Sequence, residues 1–101
     1  MQRETGGFLR MALKRIQVEG HQLYYYSACL YCLVVRLAIW RLGLKIPLKD
    51  ILSQAGNSAE LIAGGGKIQV PCLRVENKDG DVRWIYETSE IIRYLKTELV
   101  V

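Results

Sequence analysis

Three cysteines are the residues best suited to covalent chemistry in this chain of 101 residues. Cys29 and Cys32 form a C-x-x-C pair, and Cys72 follows much later. An odd number of cysteines argues against the closed disulfide framework of small secreted proteins. A c-type haem site needs His directly after the second cysteine, where this chain has Leu33, and a four-cysteine zinc site needs a second C-x-x-C. No metal site is therefore predicted, and thiol–disulfide chemistry remains.

The C-x-x-C pair stands between a predicted strand and a predicted helix. Residues 22–26 are rich in aromatic side chains, which favours a strand. Residues 30–42 are apolar apart from two arginines, and Gly43 follows, which predicts a largely buried helix ending at a glycine. Because the first amides of a helix lack partners, a thiolate at its start is stabilised. We therefore predict Cys29 as the exposed nucleophile and Cys32, one turn later, as the more buried resolving thiol.

The rest of the chain alternates between strands and helices. The order β-α-β-α-β-β-α indicates a parallel crossover followed by an antiparallel hairpin in one sheet. This is an α/β (α+β) fold with a four-stranded mixed sheet flanked by helices, and a C-x-x-C at its first strand–helix junction is a thioredoxin-like arrangement. Pro47 predicts that the second strand lies at an edge. Further strands are expected at residues 44–49, 70–75 and 82–86. A capping box at residues 57–60 is expected to begin a short helix, and residues 87–90 are expected to cap the last helix.

Length and composition describe one small domain. Half of the residues are hydrophobic and 24% are charged, so the chain can build a core, and it is not a disordered tail. A net charge of +4 is too small to imply a nucleic-acid partner. No apolar run is long enough to span a bilayer and no signal peptide is visible. A soluble, cytoplasmic monomer is therefore expected.

Residues 1–20 differ from the rest and are predicted to be an N-terminal extension, with the folded domain over residues 21–101. Phe8, Met11 and Ala12 fall on one helical face. One interpretation is a short helix or tail that leans on the domain. The alternative is a basic amphipathic helix over residues 8–18 that rests on a membrane surface.

Two further features could hold a ligand near the thiol. A proline that opens a mid-sheet strand cannot donate to the ladder, and a cis bond at Val70-Pro71 would turn the Val70 backbone toward an extended thiol peptide. An ordinary trans proline is the alternative. The first amides of the last helix, with the Thr88 and Ser89 hydroxyls, would suit a carboxylate, although they could equally form a plain N-cap. Together with the Cys29 thiol, these two features favour a ligand that is itself a small, acidic thiol.

Three segments together resemble the glutaredoxins and the amino-terminal, glutathione-binding domain of glutathione transferases. They read LYYYSACLYC at residues 23–32, VPCL at residues 70–73 and YETSEIIRYL at residues 86–95. The resemblance implies a thioredoxin-like fold, glutathione as cosubstrate, Cys29 as nucleophile and a cis bond before Pro71. The residues that it implies for glutathione binding are Tyr31, Gln69, Val70, Pro71, Glu87, Thr88 and Ser89, with Lys67 near the glycine carboxylate.

The same resemblance implies a glutathione-dependent thiol–disulfide oxidoreductase that acts on disulfide-containing proteins or small molecules. The alternative is a glutathione-binding scaffold without turnover that bridges an iron–sulfur cluster through Cys29. Leu30 stands where glutaredoxins usually have proline, and no lysine precedes the motif closely, which favours the thiolate less. The helical second domain of transferases is not expected within 101 residues, so neither is conjugating activity.

Four other residues carry predictions of their own. Cys72 is interpreted as a small core residue, with a third redox or cluster-ligating thiol as the alternative. His21, ahead of the first strand, is predicted at the surface. Trp40 and Trp84 are expected to pack in the interior rather than to stack on a ligand.

Overall fold

The computed structural model describes residues 16–99. Its elements follow the predicted order, with one short strand added in front and the second strand divided into two. The strands are β1 (Ile16–Gln17), β2 (His21–Tyr25), β3 (Leu44–Lys45), β4 (Leu48–Asp50), β5 (Cys72–Glu76) and β6 (Val82–Ile85), and the helices are α1 (Leu30–Arg41), α2 (Ala55–Gly65) and α3 (Thr88–Glu98).

The main sheet has four strands in the order β4-β2-β5-β6. β2 and β4 are parallel, with Leu23 opposite Leu48. β5 runs antiparallel to both β2 and β6, and Leu73 is opposite Leu23 on one side and Ile85 on the other. The mixed four-stranded sheet and the thioredoxin-like fold class are thus confirmed.

Helices cover both faces of this sheet. α1 and α3 lie on one face, where alternate strand residues such as Leu23, Leu73 and Ile85 pack against both helices. α2 lies on the other face, where Leu61 packs against Tyr24 and Cys72. Because successive strand residues point to opposite faces, neighbours in β2 and β5 contribute to two separate cores.

The second predicted strand, residues 44–49, is interrupted. β3 pairs with β1 in a separate two-stranded sheet, whereas β4 joins the main sheet at its edge. Pro47 lies between them and has no amide hydrogen, but its carbonyl oxygen accepts a hydrogen bond from the Leu23 amide at 2.9 Å. The edge position indicated by Pro47 is correct, and the continuous strand is not.

The capping box predicted at residues 57–60 is wrong as the start of α2. The helix begins at Ala55, after Gln54 in an extended conformation. Asn57 lies inside the first turn, where its Nδ2 donates hydrogen bonds to the Asp50 carbonyl oxygen (3.0 Å) and to Gln54 Oε1 (3.3 Å). The asparagine therefore ties α2 to the end of β4 rather than capping its own helix.

His21 is buried, and its predicted surface position is wrong. It is the first residue of β2, and its ring lies against α3. Nδ1 is 2.7 Å from the Glu19 carbonyl oxygen, and Nε2 is 2.8 Å from the Tyr94 hydroxyl oxygen. Both ring nitrogens thus find partners inside the protein, which removes the cost of burying them.

The predicted burial of α1 is correct for one face only. Cys32, Val35 and Ile39 face the sheet and are buried. Trp40 points away from the sheet with 62% of its surface exposed, so its predicted packing in the interior is also wrong. Trp84, in contrast, is half-buried and contacts the Tyr24 ring.

Most of the predicted N-terminal extension lies outside the described residues. Residues 16 and 17 form β1, so a helix over residues 8–18 does not reach its predicted end. The boundary between an extension and a domain at residue 20 stays a prediction.

Candidate active site

The thiol of Cys29 lies at the N-terminus of α1. Cys29 is the N-cap residue, and its backbone is extended, with φ −80° and ψ 119°. Its Sγ accepts a hydrogen bond from the Cys32 amide at 3.2 Å, and its own amide donates to the Tyr26 carbonyl oxygen at 3.1 Å. The sulfur thus occupies the end of the helix where amide dipoles favour negative charge.

The prediction that Cys29 is exposed is wrong, because only 9% of its surface reaches solvent. The hydrogen bond that caps the helix also turns the sulfur toward the first turn, and this accounts for the burial. Its neighbours Ala28 and Leu30 are exposed. The predicted order of burial is correct, since Cys32 is fully buried.

The other two thiols are held in their protonated form at neutral pH. Burial, and then the hydrogen bond with the Cys29 thiol, raises the pKa of Cys32 to about 12. Burial raises the pKa of Cys72 to about 12 as well, although a hydrogen bond with Tyr86 and the charge of Lys67 act in the opposite direction. A neutral, buried Cys72 agrees with its interpretation as a core residue.

A groove of about 610 Å³ runs from the first turn of α1 to the N-terminus of α3. Of the eight residues that the resemblance implies for glutathione binding, Lys67 does not line this groove, and the structure brings the other seven together in it. They are Tyr31, Gln69, Val70, Pro71, Glu87, Thr88 and Ser89. Neither Cys29 nor Cys32 is a lining residue, but Tyr31 belongs to the same helical turn as both.

Backbone groups along the groove are available to a ligand. The Val70–Pro71 peptide bond is cis, which is the isomer that the resemblance implies. Val70 precedes β5 and makes no backbone–backbone hydrogen bond within residues 16–99. Glu87 is the N-cap residue of α3, and no described side chain accepts a hydrogen bond from the first amides of that helix. Such amides form a site for a carboxylate.

Sequence reasoning missed one wall of the groove. Tyr86 lines it, and its hydroxyl donates a hydrogen bond to the Lys67 carbonyl oxygen at 3.0 Å. The hydroxyl lies so close to Gly65 that a Cβ there would collide with it. Tyr86 thereby ties the end of β6 to the turn after α2. Its position directly before Glu87-Thr88 was the available signal, and Val34 and Ile92 complete the lining.

Residues 16–99 contain neither a metal-binding group of side chains nor a membrane-spanning helix. In that part of the chain, no three His, Cys, Asp or Glu side chains lie together as a metal-binding group. None of its helices combines the length and the hydropathy needed to cross a membrane.

Comparison with known families agrees with this geometry. Residues 28–98 match the family described as "Glutathione S-transferase, N-terminal domain". The chain belongs to this family. The match spans the C-x-x-C pair, the cis-proline segment and α3, so it covers every element that lines the groove. A search of curated proteins finds no match.

Solved structures of the same fold include two larger glutathione enzymes and a glutaredoxin. A delta-class glutathione transferase from Nilaparvata lugens is 26% identical, with a TM-score of 0.61 over 80% of this chain and 37% of its own. Maleylacetoacetate isomerase from Anaeromyxobacter dehalogenans, solved with GSH in its active site, is 27% identical, with a TM-score of 0.56 over 75% of this chain and 36% of its own. The glutaredoxin, from Brucella melitensis, is 14% identical, with a TM-score of 0.51 over 84% of this chain and 83% of its own, and shows the fold alone.

The chain thus spans little more than a third of the length of the two enzymes it matches.

Proposed function

We propose that this protein binds glutathione in the groove and uses Cys29 to reduce disulfides at its expense. The observation that carries the proposal is the groove itself, which begins in the helical turn of the C-x-x-C pair and ends at the open N-terminus of α3. A ligand that spans it must offer a sulfur at one end and an anion at the other. Glutathione is such a molecule, and the maleylacetoacetate isomerase of similar fold was solved with GSH in its active site.

In the proposed complex, backbone groups do most of the binding. The α-carboxylate of the γ-glutamyl end accepts hydrogen bonds from the first amides of α3 and from the Ser89 hydroxyl. The Val70 amide and carbonyl pair with the peptide as an added strand would. The glutathione sulfur then lies toward Tyr31 and the start of α1.

The reaction follows from the positions of the two thiols. The Cys29 thiolate attacks one sulfur of the substrate disulfide, a new S–S bond forms, and the departing thiolate takes a proton from water. A glutathione thiolate then attacks the mixed disulfide and restores Cys29. A second glutathione completes the reduction, so two glutathione thiols supply two electrons and end as glutathione disulfide. Burial keeps Cys32 protonated, which favours glutathione over Cys32 as the resolving thiol.

Mass spectrometry after treatment with glutathione disulfide tests this proposal. At neutral pH, we expect one glutathione adduct, on Cys29, because Cys32 and Cys72 are fully buried and protonated, whereas 9% of the Cys29 surface reaches solvent. Peptide mapping after digestion assigns the adduct, and a sample unfolded in urea is the control, in which all three thiols should react. An unmodified folded protein, or an adduct on Cys72, would contradict the proposal.

Ser89→Ala is expected to weaken glutathione binding about tenfold, since hydrogen bonds to charged groups contribute roughly 1.5–3 kcal/mol. Ser89 is exposed at the start of α3. Ser58→Ala is the control, because Ser58 is a half-buried serine of α2 that does not line the groove and whose hydroxyl donates a hydrogen bond to the Ala55 carbonyl oxygen. Isothermal calorimetry with reduced glutathione measures both dissociation constants. Equal values for the two variants would place the carboxylate elsewhere.

A further inference from the structure

The outer face of α1 is an unusual surface. It consists of four exposed apolar side chains at helical spacing, Leu30, Leu33, Leu37 and Trp40. The opposite face of the same helix is buried against the sheet. A helix that is apolar all round is normally covered on all sides, and a contiguous exposed apolar patch marks a surface that meets another partner.

The apolar surface continues beyond the helix. A groove of about 340 Å³ separates α1 from the chain of β3 and β4, and most of its lining is apolar. Leu48, at the start of β4, is exposed on this side. The surface therefore extends over two neighbouring segments of the fold and is wider than one helix.

Charge on this surface is of one sign. Residues 20–49 contain no Asp or Glu, and their four charged residues are Arg36, Arg41, Lys45 and Lys49. Lys49 forms an ion pair with Glu60. Arg41 and Lys45 are exposed, and neither has an ion-pair partner among residues 16–99. These two cations lie at the end of α1 and on β3, and Lys45 lines the groove.

The start of β1 lies beside the same surface. β1 runs parallel to β3 with Ile16 opposite Leu44, so the chain enters β1 beside the C-terminal end of α1. Residues 1–15 carry four basic residues and one acidic residue. The segment that precedes β1 in the sequence therefore has a net charge of +3.

We propose that the outer face of α1, with Arg41 and Lys45 at its border, docks on an anionic lipid surface. Exposed apolar side chains would enter the boundary between headgroups and acyl chains, and the cations would pair with lipid phosphates. A second copy of this chain fits less well, because a twofold contact on this face would bring Arg41 and Lys45 of both copies together. Docking would hold α1, and with it the Cys29 end of the helix, at the lipid surface.

Vesicle flotation of the full chain tests the proposal. We expect the protein to float with vesicles of phosphatidylcholine containing about one-third phosphatidylglycerol, and to stay unbound with phosphatidylcholine alone. High salt should release it, because these charges are exposed to screening. Arg41→Gln and Lys45→Gln should each lower the partition coefficient about fivefold, as expected for one cation near an anionic membrane.

Leu37→Gln and Ile62→Gln form a matched pair, because both side chains are 48% exposed and only Leu37 lies on the outer face of α1. Leu37→Gln should reduce flotation and Ile62→Gln should not, with equal thermal unfolding midpoints for both. Failure to bind the anionic vesicles, or equal losses in the two variants, would overturn the proposal. A dimer in sedimentation that Leu37→Gln dissociates would also overturn it, and would assign the face to a second copy.

Discussion

Cys29→Ser is expected to lower glutathione-dependent disulfide reduction by roughly a thousandfold or more, which corresponds to at least about 4 kcal/mol of transition-state stabilisation. The hydroxyl of serine stays protonated at neutral pH and cannot form the mixed disulfide. The fold should be unaffected, because serine is a favoured N-cap and can accept the hydrogen bond that the Cys32 amide now donates to the sulfur. Steady-state reduction of a small disulfide with glutathione measures the effect.

The other two cysteines provide the controls for this experiment. Cys32→Ser should retain most of the activity on glutathione-mixed disulfides, because glutathione can resolve the intermediate. Cys72→Ala should retain activity at a temperature at which the variant is folded, since its thiol lies in the core beside Leu61. Activity that survives in Cys29→Ser and disappears in Cys32→Ser would show that the roles of the pair are reversed.

Leu61→Ala is expected to lower the free energy of unfolding by about 2–5 kcal/mol. Leu61 is fully buried and packs α2 against Tyr24 and Cys72. The chain that follows α2 leads to Val70, which lines the groove. Loosening α2 should therefore also raise the dissociation constant for glutathione. Urea unfolding measures the first effect and calorimetry the second.

Ile62→Ala is the control for Leu61→Ala, because the next residue of the same helix is half-exposed. It should change the free energy of unfolding by less than about 1 kcal/mol. Equal losses in the two variants would mean that helix propensity, rather than the core under α2, determines the stability of this region.

Hydrophobic periodicity and turn residues were sufficient to predict most elements of the fold. Glycine and proline marked the ends of α1 and the edge of the sheet, because their backbone preferences are local. Helix starts were less accurate, since Asn57 has the residue type of a cap but is used in a tertiary contact with Asp50. Such contacts depend on where β4 ends relative to α2, and no local pattern contains that information.

Burial was the property that sequence predicted least well. Cys29 is expected outside because it is the first residue after the turn, yet its capping hydrogen bond turns the sulfur inward. His21 was expected outside because it precedes a strand, but its partner Tyr94 lies far along the chain in α3. The groove residues, by contrast, came together because they lie at ends of elements whose order the sequence had indicated.

The interruption at Pro47 bears on how the protein behaves at high concentration. The edge strand of the main sheet on that side, β4, has only three residues. Pro47, which precedes it, lacks an amide hydrogen and cannot extend the hydrogen-bonded ladder. Lys49 adds a charge to the same short strand. Because an incoming chain needs a long, regular row of free backbone groups to add a strand, this side of the molecule is protected against cross-β aggregation.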